Sequence, residues 1–327
     1  MTGQLENDQL ENEYDVVVAG GGAAGLNGAL MLARSRRTVV VIDAGAPRNA
    51  PADGVHGLLA RDGMPPAELL ERGREEVRSY GGRVVSGEIT EAARAADGFT
   101  IGLADGRTVR ARRLLVTTGL TDELPDIDGL RERWGHDVVH CPYCHGWEVR
   151  DRAIGVLGTG PMSMHQVQLF RQLSDDVVFF THEGPEPTAE ESERLAARGV
   201  RVVTGKVTAV ETGTGGITGL RLADGTVVAR EVVAVGTRMV ARAGFLDDLG
   251  LPAIEHPAGV GRYIPADATG RTEVPGVWAA GNVTELTAQV GAAAAAGAMA
   301  GAQINADLVE EEIRAAVAAR ASVTPGV

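Results

Sequence analysis

The chain has two cysteines, and both stand in the stretch His140-Cys141-Pro142-Tyr143-Cys144-His145-Gly146. Thiols separated by two residues can close a small disulfide ring. If the pair opens a helix, the dipole lowers one thiol's pKa and leaves an exchange-competent thiolate. An imidazole at His145 titrates near neutral pH and can carry protons to and from those sulfurs. His140 serves either the same proton traffic or simple packing. Two blander readings stand beside the redox one: a metal half-site, or a pair of inert buried thiols. Adjacent residues rarely aim at one centre, and no second Cys-x-x-Cys completes a tetrahedron, so no metal is expected.

A redox pair needs something to exchange electrons with, and the N-terminal end supplies a candidate. Residues 14–43 read as strand, tight turn, helix and strand, with the turn Gly20-Gly21-Gly22-Ala23-Ala24-Gly25 directly after the first apolar run. This is the G-x-G-x-x-G pattern. Gly20 permits the turn, Gly22 and the following Ala23 and Ala24 let backbone N–H groups reach a pyrophosphate, and Gly25 packs helix on strand. Asp43, 23 positions after Gly20, stands where an acid bonds ribose hydroxyls. Gly281-Asn282 followed by Gln289-Val290 reads as a second clamp on a longer cofactor, which favours FAD over a nicotinamide nucleotide at this loop. Asn282 can reach ribityl hydroxyls, and a helix starting near Gln289 can face the flavin pyrimidine ring and stabilise negative charge there. The alternative is an Ala/Gly helix, around 288–307, that only packs tightly.

The elements that position these groups repeat. Residues 152–181 restate the strand–glycine–helix–strand plan with Gly158-Thr159-Gly160 at the turn. GGRVVSGEIT at 81–90 resembles GVRVVTGKVT at 199–208, and LADG recurs at 103–106 and 222–225. Two βαβ units, each finished by a small β-meander, therefore stand in tandem. The expected fold is α/β with two Rossmann-like, three-layer ββα dinucleotide-binding domains, the second inserted into the first. Residues 1–120 and 244–327 form the FAD-binding domain, and 121–243 an NAD(P)-binding-like domain carrying the Cys-x-x-Cys. The seams are expected near Thr118–Leu124 and Thr237–Gly244, with loose tails at 1–12 and 321–327.

Bulk properties narrow the partners. A length of 327 residues suits two domains, and 44 glycines exceed the roughly 7% average, as a fold with many tight turns requires. The net charge of −13 opposes phosphate backbones and anionic lipid, so neither nucleic acid nor membrane is expected as a partner. No apolar run approaches the roughly 18 residues of a membrane span, and the N-terminal residues lack a secretory pattern. The expected location is the cytoplasm.

The order of FAD glycine loop, Cys-x-x-Cys, inserted second domain and returning Gly-Asn segment resembles the low-molecular-weight thioredoxin reductases over nearly the whole chain. Within that family CPYCHGWEVRD, the APRNA segment at 46–50 and HGLLARDG at 56–63 are similar to the dithiol oxidases that close disulfides in natural products such as holomycin and gliotoxin. The resemblance implies that Arg48, Asn49, His56, Val85 and Thr118 join the cofactor site and that the chain is a homodimer. It also implies an FAD-dependent oxidation of a small dithiol, with Cys141 attacked by substrate, Cys144 next to the flavin, and O2 accepting the electrons to give hydrogen peroxide.

Three positions depart from ordinary thioredoxin reductases: His145 for Asp, Asn282 for Asp, and His182-Glu183 where an Arg pair holds the 2′-phosphate of NADPH. Glu183 repels that phosphate, and the nearest following arginine is Arg194, so NAD(P)H is disfavoured. At the middle loop, NADH binding and inherited architecture without a ligand remain equally open. Rival readings of the function are an NAD(P)H-dependent thioredoxin or disulfide reductase, and a non-catalytic flavin sensor or dithiol-binding module.

Overall fold

The computed structural model describes residues 10–323. Strand β1 (Glu13–Ala19) leads into helix α1 (Ala23–Arg34) and strand β2 (Val39–Asp43), and helix α2 (Pro66–Ser79) leads to β3 (Arg83–Ser86). A meander follows: β4 (Ile89–Ala95), β5 (Gly98–Leu103) and β6 (Thr108–Val116). Strands β3, β2, β1 and β6 run parallel, while β5 and β4 continue the sheet antiparallel. The sequence alternates to suit two buried faces. Val16 and Val18 pack with Leu26, Ala29 and Leu32 of α1, while Val17 and Ala19 pack on the other side with Phe99 and Ile101.

The chain then crosses through β7 (Leu120–Glu123) to β8 (Val138–Val139) and the one-turn helix α3 (Pro142–His145). The second unit follows as β9 (Ile154–Leu157), α4 (Ser163–Phe170), β10 (Val177–Phe180), α5 (Ala189–Ala197) and β11 (Arg201–Val203). Its meander is β12 (Val207–Gly213), β13 (Gly216–Leu222) and β14 (Val227–Ala229), before β15 (Val232–Val235). A parallel sheet ordered β11-β10-β9-β15-β8 results, with the three-stranded meander sheet beside it. The two LADG repeats both sit at the turn between the last two meander strands of their unit, β5–β6 and β13–β14. The fold is thus α/β with two dinucleotide-binding units of the same plan.

The return strand β16 (Arg238–Ala241) pairs antiparallel with β7, and β18 (Gly261–Tyr263) and β17 (Ile254–Glu255) extend that small sheet. The two crossings between units are therefore strapped to each other. The chain then re-enters the first sheet as β19 (Val277–Ala279), which pairs parallel with the second half of β6 where β5 has left it. Helix α6 (Val290–Val323) follows and lies on α1. Their approach is close because both present glycines: a Cβ on Gly301 would stand 2.6 Å from the Gly28 carbonyl oxygen.

The helix expected at 288–307 runs on to Val323, so the loose tail expected from 321 is helical up to that residue. Residues beyond Asp307 are mostly strong helix formers, and arginines of the first sheet hold them. Arg113 pairs with Asp307 and Glu311, and Arg112 with Glu311 and Glu312. The tail residues 1–9 and 324–327 lie outside the described residues. No helix among the described residues is long and apolar enough to cross a membrane.

Candidate active site

A cavity of about 830 Å³ runs from the glycine loop after β1 to the cysteine pair. At its head Gly20 has φ +103°, and a Cβ there would stand 2.6 Å from the Thr117 carbonyl oxygen. Gly25 packs so tightly that a Cβ would enter the Gly20 carbonyl. These are the constraints that make glycine necessary at the two positions. Helix α1 opens at Gly22 with no side-chain cap and no acid in its first turn, so its leading N–H groups carry partial positive charge toward the cavity without an internal acceptor. That cradle suits a pyrophosphate. The residues present therefore fit FAD: Gly20, Gly22, Ala23 and Ala24 would hold the pyrophosphate, with Asp43 at the adenosine end. Asp43 has accepted only one hydrogen bond per oxygen, from Gly45 N–H and from Arg74, both at 3.1 Å, which leaves lone pairs for ribose hydroxyls.

The cysteine pair lines the same cavity. Cys141 and Cys144 form a disulfide across Cα atoms 5.2 Å apart. Cys141 is the N-cap of α3, and its Sγ accepts from the Cys144 N–H at 3.2 Å. A four-residue helix has little macrodipole, so this N–H is the local feature that favours a thiolate at Cys141 once the disulfide opens. With both sulfurs in the bond, neither is available to a metal. Among the described residues no group of three or more His, Cys, Asp or Glu could hold one.

His145 follows the disulfide directly. Both of its ring nitrogens are buried without a hydrogen-bond partner, and it lines the cavity. Burial pushes its pKa below the ordinary imidazole range, against a smaller pull upward from Glu148. A neutral imidazole with both nitrogens unclaimed is a base waiting for an acid. His140 differs: its Nδ1 donates to the Val235 carbonyl at 3.1 Å, which leaves Nε2 as the bare nitrogen of the neutral ring. Burial, aided by the Arg48 charge, also lowers its pKa.

The cavity lining includes Asn49, His56, Thr118, Gly281, Gln289 and Val290, as well as Arg48 and Asn282. Several of the expected cofactor residues nevertheless spend their side chains elsewhere: the Thr118 hydroxyl donates to the Arg242 carbonyl, and the two His56 nitrogens face Asp62 and Glu148. Val85 is the exception to the lining: it pairs with Ile42 in the sheet and its side chain is in the core. The Arg48 guanidinium makes a bidentate pair with Asp122 on β7, at 2.7 Å for each bond, and so ties the 46–50 loop to a crossing strand. Burial alone would raise the Asp122 carboxyl, but Arg48 and the Thr237 hydroxyl hold it below the usual range. The Asn282 amide nitrogen faces the carbonyls of Glu285, Leu286 and Ala288, bracing the turn before α6, so Oδ1 is the atom left for a ligand.

Several lining residues had no sequence signal. Trp134, Gly135 and Arg242 come from loops without periodicity, and Phe245 from a short 3-10 helix over Gly244–Leu249. Thr117 did have one: it directly follows the apolar run 114–116, two residues before Gly119, and its hydroxyl buttresses the first loop, 2.9 Å from the carbonyls of Ala19 and Gly20.

The second glycine loop is built differently. Ser163, at the third-glycine position, accepts through Oγ from the N–H groups of Thr159 at 3.0 Å and Gly160 at 3.2 Å. The Thr159 hydroxyl donates across to the Gly236 carbonyl at 2.7 Å. Beyond β10, Glu183 pairs with Lys206 at 2.6 Å, while buried His182 (φ +52°) accepts the Val207 N–H. Arg194 pairs with Glu190 on α5.

A family model described as pyridine nucleotide-disulphide oxidoreductase matches residues 14–301. The chain is 34% identical over 252 residues to "Thioredoxin reductase tcpT" of Claviceps purpurea (strain 20.1), covering 73% of this chain and 78% of that one. The solved structure of HlmI matches with TM-score 0.89 at 47% identity, covering 96% of this chain and 98% of that one. The oxidoreductase from Agrobacterium tumefaciens matches with TM-score 0.85 at 36% identity, covering 91% and 99%. Together with the glycine cradle and the disulfide in one cavity, these likenesses make the chain a member of the pyridine nucleotide-disulphide oxidoreductase family and an FAD-dependent thiol–disulfide oxidoreductase.

Proposed function

We propose that this enzyme works in the oxidising direction, closing a disulfide in a small dithiol, with O2 as the final acceptor and hydrogen peroxide as the product. The observation that carries the reading is the state of the second glycine loop. Its N–H groups at Thr159 and Gly160 are already bonded to Ser163, and the acid Glu183, paired with Lys206 at 2.6 Å, follows the strand where the resemblance would call for arginines around a nicotinamide 2′-phosphate. Both features favour electrons entering from thiols over a hydride donor.

His145 takes the proton of a substrate thiol, and the resulting thiolate attacks Cys141, breaking its bond to Cys144. The second substrate thiolate then closes on the first sulfur and releases Cys141, leaving a cysteine dithiol. Cys144 lies on the cavity wall with the glycine cradle, so reclosure of the pair is the step that hands on two electrons. FAD, when bound between the glycine cradle and the disulfide, would supply the two-electron acceptor for that pair and the centre at which O2 is reduced. The 46–63 loop and the head of α6 wall the cavity and set what enters, and two copies of the chain form the working unit in the cytoplasm.

Purified yellow protein should consume oxygen with a panel of small dithiols, forming peroxide over many turnovers, without NADPH. Cys144→Ser should keep its flavin and lose dithiol bleaching. A second reading, an NAD(P)H-dependent disulfide reductase, has in its favour the intact glycines at 158 and 160 and the printed name of tcpT. Prompt anaerobic bleaching by NADPH or NADH would establish it in place of the first. Binding of a dithiol without turnover would establish a sensor.

A further inference from the structure

Beside the disulfide, two segments distant in sequence bring a row of titratable groups together. Both ring nitrogens of His145 are buried and have no hydrogen-bond partner. Glu148 stands three residues later, with its side chain 43% exposed. Its carboxylate lies 3.4 Å from Nε2 of His56, which is 25% exposed. The other His56 nitrogen, Nδ1, lies 3.5 Å from Asp62, which is 68% exposed and is fixed by the Gly57 N–H at 2.9 Å. The row therefore runs from the buried nitrogens of His145 to Asp62, its most exposed member, with Glu148 and His56 of intermediate exposure between them. A cofactor-binding role for His56 uses none of this, since both of its nitrogens face carboxylates.

We propose that Glu148 and His56 are positioning residues that connect His145 to water, so that protons taken from substrate thiols leave the closed site along His145, Glu148, His56 and Asp62. The proposal rests on the oxidative reading above. For each dithiol closed, two substrate S–H bonds and the Cys141–Cys144 bond break, one substrate S–S bond forms, and the cysteine pair holds two electrons. When that pair recloses, its two electrons pass to the flavin site; over a whole turnover the two protons end in hydrogen peroxide, so the proton that His145 takes before O2 arrives must be exchanged with water in the meantime. A base with no exchange route stays protonated after one transfer, and the row provides that route. Charged groups facing His145 set the sign of each substitution: Glu148 and Asp53 favour its protonated form, and His56 and His140 oppose it.

The test uses Glu148→Gln, His56→Gln and the double variant in the flavin-loaded enzyme, with dithiothreitol as probe. Rapid-quench alkylation counts opened Cys141–Cys144 without oxygen, so it is decided separately from the oxidase reading, which depends on peroxide. Each single variant should open the disulfide and turn over about tenfold more slowly, less than the roughly 10²–10⁴-fold of a direct acid/base. The double variant should be no slower than the slower single one, because both interrupt one route. Added imidazole should restore most of the loss. Glu148→Gln should move the acid limb of the rate profile to lower pH, and His56→Gln should move it the other way.

Single-variant rates within about twofold of the parent would overturn the route, given the size expected of proton-transfer groups. So would losses that multiply in the double variant and ignore imidazole, which is the signature of packing. If His56→Gln loses its flavin or its melting transition, His56→Asn replaces it, and Glu148→Gln decides alone if both fail.

Discussion

At Gly20–Gly25 the N–H groups that open α1 meet no side-chain acceptor, whereas at Gly158–Ser163 the Ser163 hydroxyl accepts from Thr159 and Gly160. The strands, the order of elements and the LADG turns are shared by both units, so the difference lies in a few side chains. In the first unit the third position is glycine and the helix closes onto the loop carbonyl. In the middle unit a hydroxyl sits there instead and bonds the loop. A fold of this kind keeps its shape without a ligand once its own atoms satisfy the anion cradle, because a backbone N–H needs an acceptor, whatever the source. The units differ also in support: the first is completed by β19 and α6, while the middle one is enclosed within itself.

The largest effect should come from loading the two loops in turn. Gly25→Ala drives a methyl into the Gly20 carbonyl and to within 2.6 Å of the Thr117 hydroxyl. Overpacking of about 1–3 kcal/mol or more predicts a Tm fall of about 5 °C and protein that purifies largely without flavin. Gly160→Ala meets nothing within 4 Å and should keep both flavin and Tm. Equal damage from the two substitutions, read by absorbance at the flavin band and by melting, would erase the contrast between the loops.

A middle-sized effect concerns Ser163. Ser163→Ala leaves two loop N–H groups without their acceptor, costing about 1 kcal/mol and about 2–4 °C of Tm. The parent enzyme should stay yellow with NADPH under anaerobic conditions. Rapid bleaching would mean that the Ser163 bonds yield to a nucleotide and that the two loops are alike in use.

The smallest effect tests the support that only the first unit has. Hydrogen bonds from Arg37, then Arg112, hold the Glu312 carboxyl on α6 at about 2. Its folded value lies below the unfolded one, so the stabilisation is complete above the ordinary value near 4.5 and is lost as pH falls toward 2. Glu312 is 46% exposed, so solvent screening keeps the contribution below about 1 kcal/mol. Glu312→Gln should therefore lower Tm by about 1–2 °C at pH 7, with the gap closing as the pH approaches 2. A gap independent of pH would assign Glu312 to packing.

Much of the site was legible because its signals are local. The Cys-x-x-Cys spacing, the glycine turn after an apolar run and the acid at 43 are each written in neighbouring residues, and the duplicated LADG and RVV segments announced two units of one plan. The start of α6 was legible too, from Gly281 and Gln289. Its end was not: the helix runs past 307 to Val323, and the partners that hold Asp307, Arg113 and Arg271, lie far away in sequence.

What the sequence by itself determined is the chemistry available: a cysteine pair with a histidine beside it, a glycine cradle suited to a pyrophosphate, and an acid, Glu183, after the second glycine unit's second strand. What only the tertiary structure decided is where long or polar side chains spend their bonds. Arg48 goes to Asp122, the Asn282 amide to the turn before α6, the Ser163 hydroxyl to its own loop, and His56 to Glu148 and Asp62, while the Val85 side chain turns into the core. The reason is physical. Turn chemistry and periodicity follow from residues a few positions apart, but the partner of a flexible side chain depends on which distant segment the fold brings within hydrogen-bond reach.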